Sequence, residues 1–282
     1  LGIMIPPSIN LIVYGFLTQS SIPQLFLAGL IPGLALALMF MLVTVIICLI
    51  RPDLGGLRRT FPIAQMLRAL VDLIPIIILF AMIVGSIYRG WATPTEAAAV
   101  GVAGAFIIAF AFGGLSLDML TQSLMGTVKI TSMIMLIVIG ASFLNFTLAS
   151  AGLGRELTTF MEGLGLSPLG FILVVVALYI VLGFFIETLS LMVVTIPIIV
   201  PMVLVQGYDV IWFGILMIVL IEMALITPPV GLNLYVVQGA RKSGSLNEVM
   251  LGALPYCLTM LVMAFLLIAF PNIALFLPTY FQ

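Results

Sequence analysis

One short pattern, a proline pair set inside otherwise unbroken apolar sequence, is written twice in this chain, at 4–15 and again at 226–237. The first copy reads Met-Ile-Pro-Pro-Ser-Ile-Asn-Leu-Ile-Val-Tyr-Gly and the second Ile-Thr-Pro-Pro-Val-Gly-Leu-Asn-Leu-Tyr-Val-Val. Two adjacent prolines remove two backbone donors and clash with the preceding turn, so a helix that meets Pro6 and Pro7, or Pro228 and Pro229, stops and leaves carbonyls without partners. In hydrocarbon such groups are expensive. They are tolerated at membrane depth only inside protein or beside a water-filled cavity, and paired broken segments in two halves of a chain point to a transporter binding site.

Composition sets the surroundings of these breaks. With 64% hydrophobic residues, 7% charged, no histidine and a mean hydropathy of +1.41, the chain is an integral membrane protein. The runs 27–50 and 69–88 reach the roughly 20 apolar residues an α-helix needs to span the bilayer, whereas a β-barrel would show short alternating segments. Nine basic residues scattered over 282 positions form no stripe for a phosphate backbone. An enzyme lacks its parts: there is no histidine, no G-x-S-x-G, no H-E-x-x-H and no Walker A sequence, so transport must draw on an ion gradient. Cys48 and Cys257 lie mid-span with no partner spacing and read as small core hydrophobes.

The likeness between copies continues past the prolines, where 21–32 matches 245–255 with one residue of slippage at the end. Each module is thus a broken helix, a polar turn and a following span. Arg51, Arg58, Arg59 and Arg68 in one loop, and Arg241 with Lys242 in another, mark two cytoplasmic connections; the remaining ones hold Arg89 and Arg155. Counting crossings from Arg51 through 69–88, 94–113 and 128–150 makes the two modules antiparallel. The stretch 168–205 is too long for one span and folds back near Gly183 to Glu187, as a re-entrant hairpin or as two spans. The expected fold is an all-α polytopic membrane protein with inverted-topology repeats. Residues 1–127 form the remainder of the first repeat with its connecting spans, and 128–282 form the second. The C-terminal 271–282 falls outside, and the more polar 54–68, 115–127 and 153–165 lie at the interface.

Several residues stand out as candidates. Thr227 and the carbonyls of Ala224 and Val230 surround the second break, where neutral oxygens and the negative end of a half-helix suit a cation such as Na⁺. By symmetry Gly2, Ile5 and Ser8 form the matching half-site. Asn10 and Asn233 follow the breaks as substrate-facing or break-stabilising groups, and Gly231 completes the second turn. The 183–188 segment is a hairpin tip that faces the second break. Within it Glu187, beside Thr188, is either an ionisable group at depth or a hairpin cap. Glu222 tunes the cation site or bonds a neighbouring helix. Thr93 to Glu96 reads as a capping box that starts a helix, Asp72 as a carboxylate in a first helical turn, and Ser142 with Asn145 as interhelical hydrogen-bonding groups.

Taken together, the Pro6-Pro7-Ser8-Ile9 motif, the 27–33 sequence Leu-Ala-Gly-Leu-Ile-Pro-Gly, the 93–100 sequence Thr-Pro-Thr-Glu-Ala-Ala-Ala-Val and the 226–234 sequence Ile-Thr-Pro-Pro-Val-Gly-Leu-Asn-Leu make the chain resemble the large membrane subunit of TRAP transporters, the tripartite ATP-independent periplasmic systems. The resemblance implies a bacterial inner-membrane, Na⁺-coupled importer of organic acids that works as an elevator-type secondary transporter. It also implies a small four-helix membrane subunit and a periplasmic substrate-binding protein as partners, and no cofactor. Sodium sites in such proteins lie where a hairpin tip meets a broken helix, which transfers to Gly183 with Ala224, Thr227 and Val230, and to the region of Gly2, Ile5 and Ser8. Alanine stands at Ala224 where the family usually has glycine. The chain opens at Leu1, just before the first break, so on the order of 100 residues, the first hairpin among them, are expected upstream. Two other readings stay open: a stand-alone sodium/dicarboxylate-type anion symporter, and a scaffold protein that carries no solute.

Overall fold

The structure is a computed structural model and describes residues 2–55, 62–152, 156, 159, 163, 165–241 and 244–281. Arg58, Arg59, Arg155 and Lys242, and the side chain of Asn145, lie outside the described residues. All the regular elements described are helices: α1 (Ile9–Thr18), α2 (Ile22–Ile50), α3 (Ile63–Tyr88), α4 (Pro94–Ala111), α5 (Leu117–Ser150), α6 (Pro168–Gly183), α7 (Thr188–Val205), α8 (Val210–Ile226), α9 (Leu232–Arg241), α10 (Leu246–Ala269) and α11 (Asn272–Tyr280). Among the described residues six helices, α2, α3, α4, α5, α7 and α10, are long and apolar enough to cross a membrane.

The chain divides into two compact units, Leu1–Ile46 with Ile137–Gln282, and Ile47–Leu136. In the second unit α3 packs along α4, where Gly101 and Gly104 meet Ile83 and Leu79 so closely that a Cβ would stand 2.7 and 2.5 Å from those side chains. Small residues at such a seam let helix backbones approach, which is how spans associate when lipid removes the hydrophobic drive. Thr93 and Glu96 form the expected capping box: the Thr93 N–H donates to Glu96 Oε2 at 2.7 Å and the Glu96 N–H to Thr93 Oγ1 at 3.3 Å.

Two expectations for this region are corrected. Asp72 is not in a first turn, because α3 begins at Ile63 and runs without interruption past it. Nor is 115–127 set apart from the span that follows it: α5 continues from Leu117 to Ser150 as one helix of 34 residues, roughly 51 Å long. Polar residues do not end a helix whose backbone bonds are intact, and no proline interrupts α5.

The first unit is organised around α8. Apart from Glu222 this helix is apolar on every side, and of its 17 residues only Val210, Ile211, Glu222 and Ile226 escape burial, as expected of a helix enclosed by others. α1, α6, α7, α9, α10 and α11 all pack on it. Tyr14 lies flat on Gly214, where a Cβ would sit 2.5 Å from the ring, and its hydroxyl donates to the Val210 carbonyl at 2.6 Å. Trp212 donates from Nε1 to the Leu267 carbonyl at 2.8 Å. Tyr179 and Thr195 share a buried hydroxyl bond of 2.7 Å that ties α6 to α7, the two arms of the 168–205 hairpin.

These contacts fix the directions of the modules. Gly29 of α2 meets Ile215, while Phe40 and Thr44 farther along α2 meet Tyr256, the neighbour of a residue that contacts Ile226. So α2 runs with α8. On α10, Cys257 lies at Ile226 and Leu267 at Trp212, so α10 runs against it. The spans that follow the two breaks are therefore antiparallel. The post-break helices also diverge: α1 runs back along α8 toward Val210, and α9 runs on beyond Ile226 to Arg241, which pairs with Glu248 at 2.8 Å. The repeats are inverted.

Candidate functional site: the second helix break

Three carbonyls at the end of α8 lose helical donors to Pro228 and Pro229: Ala224 at i+4, Ile226 at i+3, and Leu225 at both. The chain re-partners two of them. The Thr227 N–H turns back to Ala224 O at 3.2 Å, and the Cys257 thiol of α10 donates to Ile226 O at 3.2 Å. One turn earlier the Thr227 hydroxyl donates to Met223 O at 2.6 Å. Leu225 O is left. Among the described residues no donor reaches it, and it converges with Thr227 O on Gly231, where a Cβ would lie 3.0 Å from each oxygen and from Leu234 Cδ1. Only glycine leaves that space open. Two neutral oxygens thus converge at the negative end of a buried helix.

The hairpin tip reaches the same place. Gly183 ends α6 against Ala224 so closely that a Cβ on it would stand 2.4 Å from the Ala224 methyl. The structure thus brings together Gly183, Ala224 and Thr227, with half-buried Val230 next to Gly231. Pro228 and Pro229 shape the turn, and the Pro228-Pro229 peptide is cis, as is Pro6-Pro7. Glu187 is exposed and serves as the N-cap of α7, accepting from the Ser190 N–H at 3.1 Å and the Ser190 hydroxyl at 3.3 Å, while Thr188 after it is buried. Glu222 keeps one carboxyl oxygen, Oε1, enclosed and without a hydrogen-bond partner.

The first break is built differently. Ile3 holds the position of Leu225, and its carbonyl accepts the Ser8 hydroxyl; Ser8 Oγ in turn accepts the Leu11 N–H at 3.4 Å and caps α1. Val230 stands at the Ser8 position of the second copy and has no such donor. Met4 O rests on Gly29, where a Cβ would be 2.6 Å away, and Ile5 lies on Gly33 in the same way at 2.7 Å. Gly2 is exposed with open space on its Cα. The contact of Gly29 with Ile215 puts this break roughly 16 Å along α8 from Ile226, so the two half-sites are separate places.

Asn10 and Asn233 also part company. Asn10 is 6% exposed and its Nδ2 has no partner, whereas Asn233 is exposed and lines a cavity of about 510 Å³ with Phe40, Leu234 and Tyr256. Counted from the proline pairs Asn233 sits one residue later, a rotation of about 100° on a helix. Sequence reasoning missed Leu225, although prolines at both i+3 and i+4 mark its carbonyl. It also missed Cys257, which is not merely a small core hydrophobe, and no local signal distinguishes that cysteine.

Comparison with known proteins agrees with this architecture. The family model of the tripartite ATP-independent periplasmic transporter, DctM component, matches residues 1–273. The chain is 36% identical over 283 residues to the C4-dicarboxylate TRAP transporter large permease protein DctM of Pseudomonas aeruginosa, covering 99% of this chain and 65% of that protein. It is 32% identical to the sialic acid TRAP transporter large permease protein SiaM of Vibrio cholerae, with 100% and 65% covered, and 31% identical to the isethionate TRAP transporter permease protein DctMQ of Oleidesulfovibrio alaskensis, with 96% and 43% covered. The chain therefore spans just under two-thirds of the length of the large permeases it matches, and those relatives are named as permeases, not enzymes. On this match and the inverted, proline-broken repeats, the chain belongs to the DctM family of TRAP transporter large permeases.

Proposed function

We propose that the chain is the ion-coupled core of a large permease subunit that imports an organic acid across the bacterial inner membrane, driven by a sodium gradient. The observation that carries the sodium reading is Leu225 O, which no donor reaches among the described residues and which converges with Thr227 O on Gly231. Sodium, a co-transported substrate here, is a hard cation that favours neutral carbonyl oxygens, and the α8 terminus adds its negative pole. The packing of the Gly183 hairpin tip on Ala224 tightens around the ion, and the hairpin with α8 moves as the elevator. A small four-helix membrane subunit and a periplasmic binding protein are the partners, and the C-terminus faces the periplasm. The relatives' named solutes, C4-dicarboxylate, sialic acid and isethionate, are all organic anions, which supports an anionic solute for this chain as well.

The test is uptake by the full-length permease, reconstituted with its small subunit and binding protein and offered those three anions under a sodium gradient. Thr227→Ala, which frees the turn from Met223 O, is expected to raise the Na⁺ concentration for half-maximal uptake about threefold or more. Uptake that ignores sodium would refute the coupling. Full-rate transport of free solute without the binding protein would favour a stand-alone anion symporter, and a well-folded protein that moves none of the three would favour a scaffold.

A further inference from the structure

The Ile226–Thr227 peptide plane is held at both edges: its N–H by Ala224 O, and its C=O by a thiol from another helix. A peptide unit is rigid, so fixing those two edges fixes how the chain enters Thr227 and where the next carbonyl points. The thiol belongs to Cys257, 6% exposed on α10. The other re-partnering bonds at this break, from Thr227 to Met223 and Ala224, arise within the segment itself. Cys257 is what ties it to a neighbouring span.

We propose that Cys257 is a positioning residue of the cation cradle. It turns the Ile226 carbonyl toward α10 and so leaves Leu225 O and Thr227 O facing Gly231; it touches no ion itself. The proposal rests on the reading of this break as the sodium site. The first repeat shows what the thiol replaces. Aligning Pro32 with Pro255 sets Gly29 opposite Gly252 and Leu34 opposite Cys257. In the first copy the carbonyl that corresponds to Ile226 O, that of Met4, is seated directly on Gly29. In the second, Gly252 has nothing within 4 Å, so that seat is missing, and a side-chain donor holds the carbonyl instead. Leu34, at 52% exposure and with no donor, is not asked to.

The experiment compares Cys257→Ser, which keeps a donor, with Cys257→Val, which keeps bulk and removes it. The full-length permease with its small subunit, in detergent, is melted across a NaCl series balanced with choline chloride, and the Na⁺ concentration at half-maximal stabilisation is read. The valine variant is expected to raise that concentration about three- to tenfold, the cost of one hydrogen bond, and the serine variant to stay within about twofold of wild type. A valine variant with unchanged Na⁺ midpoint overturns the proposal. So do equal shifts in both variants, or a valine variant whose melting temperature falls by the same amount at every NaCl concentration. A wild-type protein that NaCl does not stabilise beyond choline chloride refutes the sodium reading, and the proposal with it. A sodium-responsive wild type whose valine variant does not shift refutes the positioning role alone.

Discussion

Placing one methyl on Gly183 tests whether the hairpin tip and the second break work as a unit. The Cβ of Gly183→Ala would stand 2.4 Å from the Ala224 methyl, while carbon pairs settle at about 3.5–4.0 Å, so the end of α6 or of α8 must retreat by roughly 1–1.5 Å. Neither partner is a flexible chain end that can rotate away. Overpacking of this kind costs about 1–3 kcal/mol. If that cost falls on the ion-bound arrangement, the Na⁺ midpoint rises about 5- to 150-fold at 1.4 kcal/mol per decade; if it falls on the fold as a whole, the melting temperature drops at all sodium concentrations. Ala224→Gly removes the opposing methyl. By itself it costs about 1 kcal/mol of helix propensity, so the double variant should sit about that far below wild type, a rescue of up to about 2 kcal/mol relative to Gly183→Ala. Thermal denaturation across a NaCl and choline chloride series measures both quantities. The reasoning fails if Gly183→Ala behaves as wild type, or if Ala224→Gly does not rescue it.

Gly231→Ala puts a Cβ 3.0 Å from both Leu225 O and Thr227 O, and is expected to weaken sodium stabilisation at least tenfold while solute-free, sodium-free melting changes by a few degrees at most. Tyr14→Phe removes the hydroxyl that serves Val210 O but leaves the ring on Gly214, so it should cost about 1–2 kcal/mol in thermal or denaturant unfolding and leave the Na⁺ midpoint unchanged. Asn10→Leu deletes a buried amide whose Nδ2 has no partner, so stability is expected to hold or rise while uptake falls; lost stability would show that the amide has a structural bond.

What the sequence disclosed, it disclosed through backbone chemistry. Pro6, Pro7, Pro228 and Pro229 announced both breaks because a missing N–H is a property of the residue and not of its surroundings, and Thr93 with Glu96 announced a helix start for the same reason. Helix ends marked only by polarity were misplaced: α3 reaches back to Ile63 past Asp72, and α5 runs through 115–127, since a helix extends beyond the hydrocarbon core at no backbone cost. Rotation was the hardest to read. α8 and α10 lack a strong amphipathic stripe, so nothing local told which face of α10 would turn Cys257 to the break, or that Asn10 would be buried and Asn233 not.

Inverting a module copies its geometry but not its chemistry. Both breaks strand a carbonyl five residues before the position that follows the proline pair. In the first copy that position is Ser8, whose hydroxyl closes Ile3 O, and the adjoining carbonyl of Met4 is seated on Gly29. In the second it is Val230, which closes nothing; the adjoining carbonyl of Ile226 is drawn aside by Cys257, and Leu225 O stays open against Gly231. An open carbonyl in a buried helix end is costly unless something satisfies it, so on the proposed reading the second copy is the one whose stability depends on what enters it. The hairpin tip at Gly183 packs on that copy, at Ala224. Under the proposed function, a cation taken up there would both satisfy the oxygens and bear on the contact between hairpin and helix, which is the coupling a gradient-driven carrier needs and a symmetric pair of self-satisfied breaks would lack.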